Sequence, residues 1–125
     1  MKPAQDDRRV HPRFAPDELV PVFFAHSTAE QPTCGHIVDV SHSGVRIVAP
    51  PMARPFLHWG DPFWLEISWS ESVRAGGVEG TQLRARVVRI HADSTAYQLH
   101  AEFDRAGLDG DWDALARWTA ALDRA

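Results

Sequence analysis

From Leu19 to Phe103 the sequence falls into six short stretches rich in β-branched and aromatic residues, each stopped by turn-forming residues after a few positions. Leu19–Ala25 is rich in Val and Phe but contains Pro21, whose missing N–H predicts an edge or bulged position. Cys34–Ser41 and Val45–Ala49 are joined by Ser41-His42-Ser43-Gly44, a short hairpin connection in which Gly44 is available for positive φ. Phe63–Trp69 alternates, with Phe63, Leu65, Ile67 and Trp69 on one face and Trp64, Glu66 and Ser68 on the other. Leu83–Ile90 sets Leu83, Ala85 and Val87 against Arg84, Arg86 and Val88, with Ile90 continuing the first set. Tyr97–Phe103 closes the series, Tyr97, Leu99, Ala101 and Phe103 lying opposite Gln98, His100 and Glu102. Six strands with short connections predict an all-β, antiparallel barrel or sandwich.

The helical signal is confined to the end of the chain. Between Asp111 and Arg124, Trp112, Leu115, Trp118, Thr119 and Leu122 fall within one arc of about 120°, with Asp113, Arg117 and Arg124 opposite. This predicts an amphipathic helix over about 111–124, capped by Asp109 or Asp111 and placed over one open end of a barrel. At 125 residues, 44% hydrophobic and 24% charged, the chain is the size and composition of one domain, with one core burying roughly two thirds of its unfolded surface. Its net charge of −4 argues against coating nucleic acid by bulk charge, so any anion it binds must meet a local cluster. The single cysteine, Cys34, rules out an intramolecular disulfide and an all-thiolate zinc site and fits a reducing compartment. No apolar run approaches the roughly 18 residues of a membrane span, and Met1–Phe14 is polar where a signal peptide would be apolar. The expected location is the cytoplasm, without membrane insertion.

Charge is unevenly placed. Lys2, Arg8, Arg9 and Arg13 against Asp6 and Asp7 leave the first thirteen residues at +2 in an acidic protein. With Pro3, Pro12 and Pro16 and no apolar periodicity, residues 1–16 are expected to form a flexible basic arm, and residues 17–125 the packed domain. Two motifs stand out. Arg9-Val10-His11-Pro12-Arg13 is an R-x-x-x-R element preceded by Arg8, and Asp39-Val40-Ser41-His42-Ser43-Gly44 is a D-x-S-x-x-G element, its Asp 26 residues after Arg13. An arginine pair on an arm, followed by that hairpin and further strands, resembles the PilZ domain family, whose members are receptors for the bacterial second messenger cyclic di-GMP. The resemblance covers nearly the whole chain and implies a six-stranded antiparallel β-barrel with a flanking C-terminal helix. Tyr97–Phe103 is similar to the family's last strand, except that His100 stands where a glycine is common.

The residue types suit the ligand that the resemblance implies. Cyclic di-GMP offers two phosphodiester anions and two guanines, and each guanine's O6 and N7 match an arginine fork such as that of Arg9 or Arg13. The opposite guanine edge presents N1–H and N2–H donors, which the carboxylate of Asp39 can accept. Ser41 can donate to a phosphate oxygen or hold Asp39, and Gly44 lets the backbone approach the ligand. Two apart on a strand, Asp39 and Ser41 are expected to share a face. Arg8 adds a third guanidinium, which predicts two intercalated ligands per chain.

Other chemistries lack their parts. Cys34, His36 and His42 lie close in sequence, but no second ligand pair completes a tetrahedral metal site. Asp39, Ser41 and His42 are triad types packed into four consecutive positions without a nucleophile elbow, so no catalytic residue is expected. Arg84, Arg86 and Arg89 lack the aromatic interleaving of an RNA-binding barrel. Trp69, Trp112 and Trp118 fit apolar faces, whereas Trp59 and Trp64 are candidates for an interaction surface. The sequence therefore reads as a receptor that binds cyclic di-GMP through Arg8, Arg9, Arg13, Asp39, Ser41 and Gly44 and relays the signal to an effector protein. It is expected to need no cofactor or metal and to bind neither DNA nor RNA. The competing reading is a PilZ-like adaptor of pilus or motility machinery with weak or no nucleotide binding.

Overall fold

The structure is a computed structural model that describes residues 14–16, 20–26, 31–51, 57–67, 81–105 and 112–123. Six strands, β1 Val20–Ala25, β2 Thr33–Val40, β3 Gly44–Ala49, β4 Pro62–Ile67, β5 Thr81–Ala92 and β6 Tyr97–Phe103, precede one helix, α1 Trp112–Asp123. They close an antiparallel barrel in the order β1-β2-β3-β6-β5-β4, with β1 pairing back onto β4. Closure gives β1 partners on both sides, yet Pro21 itself keeps the edge position expected of it. The proline is tolerated because the ladder to β4 begins only at Val22, so Pro21 faces a partner, His36, on one side alone.

Alternation carries the core. Phe63, Leu65 and Ile67 of β4, Leu83, Ala85 and Val87 of β5, and Tyr97, Leu99 and Ala101 of β6 are all buried, as their spacing predicts. Ala114, Leu115 and Trp118 join the same cluster from α1, so the helix covers barrel core with its apolar arc. Trp69 and the expected cap residues Asp109 and Asp111 lie outside the described residues.

Two bulges interrupt the period of two. In β5 the register to β6 slips between Val87 and Arg89, leaving Val88 as an extra residue. Val88 and Arg89 are consequently both exposed, and Ile90 regains the inward phase, partly buried against the core opposite Leu99. In β2 the register to β3 slips between Ile37 and Asp39 around Val38. Ile37 and Val40, three apart, both point inward, and Asp39 is carried to the outer face.

The β5–β6 connection shows how a side chain sets a turn. One carboxylate oxygen of Asp93 accepts from the Thr95 hydroxyl at 2.6 Å and from the backbone N–H groups of Thr95 and Ala96 at 2.7 and 3.0 Å. Those bonds, led by the Thr95 hydroxyl, hold the carboxyl well below the usual carboxylate range.

Candidate functional site

The D-x-S-x-x-G segment forms the turn between β2 and β3. Ser41 N–H donates to the Gly44 carbonyl at 2.8 Å, and Ser41 Oγ accepts from the N–H groups of Ser43 and Gly44, both at 3.1 Å. The hydroxyl lies 3.1 Å from Ser43 Oγ as well, and Ser41 is fully buried. Its chemistry is directed at its own turn. Asp39 and Ser41 do not share the expected face: β2 ends at Val40, and Ser41 turns inward while Asp39 faces out. Gly44 opens β3 as a ladder residue opposite Glu102, and the glycine of positive φ among the described residues is Gly60, at 86°.

Asp39 meets a partner that the sequence reading missed. Its Oδ2 lies 2.9 Å from Nη2 of Arg46, the residue opposite it on β3, with the two side chains 16% and 38% exposed. Arg46 Nε is buried and has no hydrogen-bond partner in the structure. The signal was available: Arg46 lies two residues after Gly44, on the outward phase of a strand whose Val45 and Ile47 are apolar. In register, Asp39, Arg46, His100 and Arg89 form one row across the outer face of β2, β3, β6 and β5. His100, where the resemblance leads one to expect a glycine, thus stands between two arginines.

The turn is also tied to α1. Thr119, buried in the helix, donates its hydroxyl proton to the Leu115 carbonyl at 3.0 Å, and its oxygen lies 3.3 Å from His42 Nε2. Arg105 donates to the His42 carbonyl at 2.6 Å and sits 4.7 Å from the centre of the Trp112 ring, which packs edge-on against Phe103. His42, Ser43, Glu102, Phe103 and Arg105 line a groove of about 680 Å³ beside the turn. Thr119 was legible as a polar residue on an apolar arc, whereas Arg105 had no sequence signal.

Arg8, Arg9 and Arg13 lie outside the described residues. Phe14, the next residue in the chain after Arg13, is described: its N–H donates to the Val40 carbonyl at 2.8 Å and its carbonyl accepts from Val40 N–H at 2.9 Å. Among the described residues no group of three or more His, Cys, Asp or Glu side chains is placed to hold a metal, and no helix is long and apolar enough to cross a membrane.

The family model of the PilZ domain matches residues 7–121. The chain belongs to the PilZ domain family. Solved PilZ structures resemble it in fold at low identity. The PilZ domain of YcgR from Escherichia coli with c-di-GMP superposes with a TM-score of 0.70 at 17% identity, covering 94% of this chain and 93% of that one. The MrkH–c-di-GMP complex of K. pneumonia gives 0.70 at 17% identity, covering 93% and 52%. The inhibitor of motility MotI/DgrA of Bacillus subtilis gives 0.65 at 20% identity, covering 95% and 55%. This PilZ chain spans about half the length of the last two. No curated protein matches it.

Proposed function

We propose that this PilZ domain is a receptor for cyclic di-GMP that passes the signal to a protein partner. The observation that carries the reading is the bridge between Phe14 and Val40. It fastens Phe14, the residue directly after R-x-x-x-R, to Val40, the residue between Asp39 and Ser41, which supports reading the two motifs as parts of one site. Arg9 and Arg13 supply guanidinium forks for guanine O6 and N7 or for phosphate, Asp39 accepts from the guanine N1 and N2 edge, and Ser41 and Gly44 shape the turn on which Asp39 stands. Arg46, half-exposed and with Nε unpartnered, adds a cation beside Asp39. Arg8 extends the cluster toward a second, stacked ligand. Nothing in this scheme breaks or forms a covalent bond; the role is recognition in the cytoplasm, without cofactor.

Titration calorimetry with cyclic di-GMP tests the reading. Arg9→Ala and Arg13→Ala should each weaken binding by about 1.5 to 3 kcal/mol, roughly 10- to 150-fold. A ratio near two ligands per chain that falls toward one in Arg8→Ala supports the stacked pair. Unchanged affinity in both arginine variants would refute the assignment of the arm.

The adaptor reading has its own support: Asp39 is paired with Arg46 and the Ser41 hydroxyl serves its own turn, so the hairpin is satisfied without a ligand. Absence of heat with the natural protein would favour that role in motility or pilus machinery.

A further inference from the structure

The groove beside the β2–β3 turn holds opposite charges on a fixed frame. His42 and Ser43 come from the turn, Glu102 and Phe103 from the end of β6, and Arg105 from the segment that follows. Backbone bonds pin both sides before anything enters. Phe103 N–H donates to the Ser43 carbonyl and Asp104 N–H to the Arg84 carbonyl, both at 2.9 Å, and Arg105 donates to the His42 carbonyl at 2.6 Å. Arg105 is held further by the Trp112 ring, with one of its five N–H donors used. Glu102, exposed on the outward phase of β6, stands in register with Gly44, which brings no side chain to that face. Its other register partner, Arg86, donates to the Gly60 carbonyl, and among the described residues the Glu102 carboxylate has no ion pair.

These groups narrow the occupant by charge. Glu102 repels a simple anion and Arg105 a simple cation, so the groove suits a group with donors on one edge and acceptors on another. Guanine is such a group: its N1–H and N2–H suit a carboxylate, and its O6 and N7 suit an arginine fork. Adenine reverses the match, because its N1 is an acceptor that a carboxylate repels. Phe103 adds an aromatic side chain to the lining, which suits a flat base. One carboxylate fills both donors of a guanine edge, and Asp39 and Glu102 lie two strands and two residues apart on the outer face, about 12 Å between backbone positions. Two such carboxylates serve two bases.

We infer that this groove is a second guanine subsite, in which Glu102 accepts from N1–H and N2–H and Arg105 donates to O6 or N7, while Asp39 reads the other base of the same cyclic di-GMP. The inference rests on the cyclic di-GMP reading and adds residues outside both motifs. Calorimetry on the full chain compares cyclic di-GMP, the hybrid cyclic GMP–AMP, which has one guanine, and cyclic di-AMP. In the natural chain affinity should follow the number of guanines, with a step of at least about tenfold between cyclic di-GMP and the hybrid. Glu102→Ala should weaken cyclic di-GMP by at least about tenfold and leave the hybrid within about threefold, so that the step disappears. Arg105→Lys, which keeps the charge and loses the fork, should narrow it. Melting temperature checks that both variants remain folded. A full step in Glu102→Ala, or equal weakening of all three ligands, would overturn the subsite and leave the receptor reading standing. No binding of cyclic di-GMP by the natural chain would overturn both.

Discussion

Removing either member of the Asp39–Arg46 pair should destabilise the barrel, and unequally. The pair is one charge-assisted bond of 2.9 Å between a carboxylate 16% exposed and a guanidinium 38% exposed, between the fully exposed and fully buried limits. Exposed pairs are worth about 0.2 to 1 kcal/mol, and breaking a buried one costs about 3 to 5. Discounted for the water that reaches Arg46, Asp39→Ala should cost about 1 kcal/mol. Arg46→Ala should cost more, about 2 kcal/mol, because it takes the cation away from the more buried charge. The double variant should cost less than the sum, leaving a coupling of about 1 kcal/mol. Urea unfolding followed by tryptophan fluorescence measures all four corners of the cycle. Additivity within about 0.3 kcal/mol, or a larger loss from Asp39→Ala than from Arg46→Ala, would refute the reasoning. Ligand binding adds a second reading from the same variants. If Asp39 reads the guanine edge, Asp39→Ala must also relax discrimination between cyclic di-GMP and cyclic di-AMP; a loss of affinity with selectivity intact would assign it to holding Arg46.

Three further outcomes are expected. Tyr97, the one tyrosine of the chain, is 5% exposed with its hydroxyl unpartnered in the structure, and burial pushes its pKa up to about 12 from 10.0. Because the folded state favours the neutral phenol, this contribution of about 2 to 3 kcal/mol is complete below pH 10 and vanishes as pH rises through 12, so tyrosinate absorbance should rise late and Tyr97→Phe should flatten stability over that window. A Cβ at Gly35 would lie 2.7 Å from the Val48 carbonyl oxygen and 3.1 Å from Ile47 Cγ2, so Gly35→Ala should lower the urea midpoint by about 1 to 3 kcal/mol in stability, with the slope unchanged. Hydrogen exchange at Arg8 to Arg13 should slow when cyclic di-GMP is added, and equal protection in both states would remove the arm from the binding mechanism.

What could be read from the amino acids follows from where a local rule suffices. β4 and β6 obey the period of two without interruption, and their buried sets match because one face of each meets core and the other does not. The helix was equally plain, since Leu115 and Trp118 repeat at its period. Arg46 and Arg105 escaped because their roles depend on cross-strand register and on the return of the segment after β6 to the β2–β3 turn, long-range facts that adjacent residues do not encode. The Ser41 hydroxyl was expected to reach a phosphate oxygen or Asp39, whereas burial turns it to the N–H groups of its own turn.

Val38 has a consequence for how this barrel tolerates changes in length. Deleting that one residue would turn the bulge into a regular ladder, because Ile37, Asp39 and Val40 already face in, out and in and their partners Ile47, Arg46 and Val45 are consecutive. The same deletion would leave Phe14 its partner, since the bridge is made by Val40 itself, which stays opposite Val45. Arg89 stands in the matching position on the far side of the row, directly after Val88. Loss of Val38 or Val88 therefore keeps the inward and outward sets of its strand, whereas loss of one residue inside the regularly alternating β6 would turn the rest of that strand to the other face.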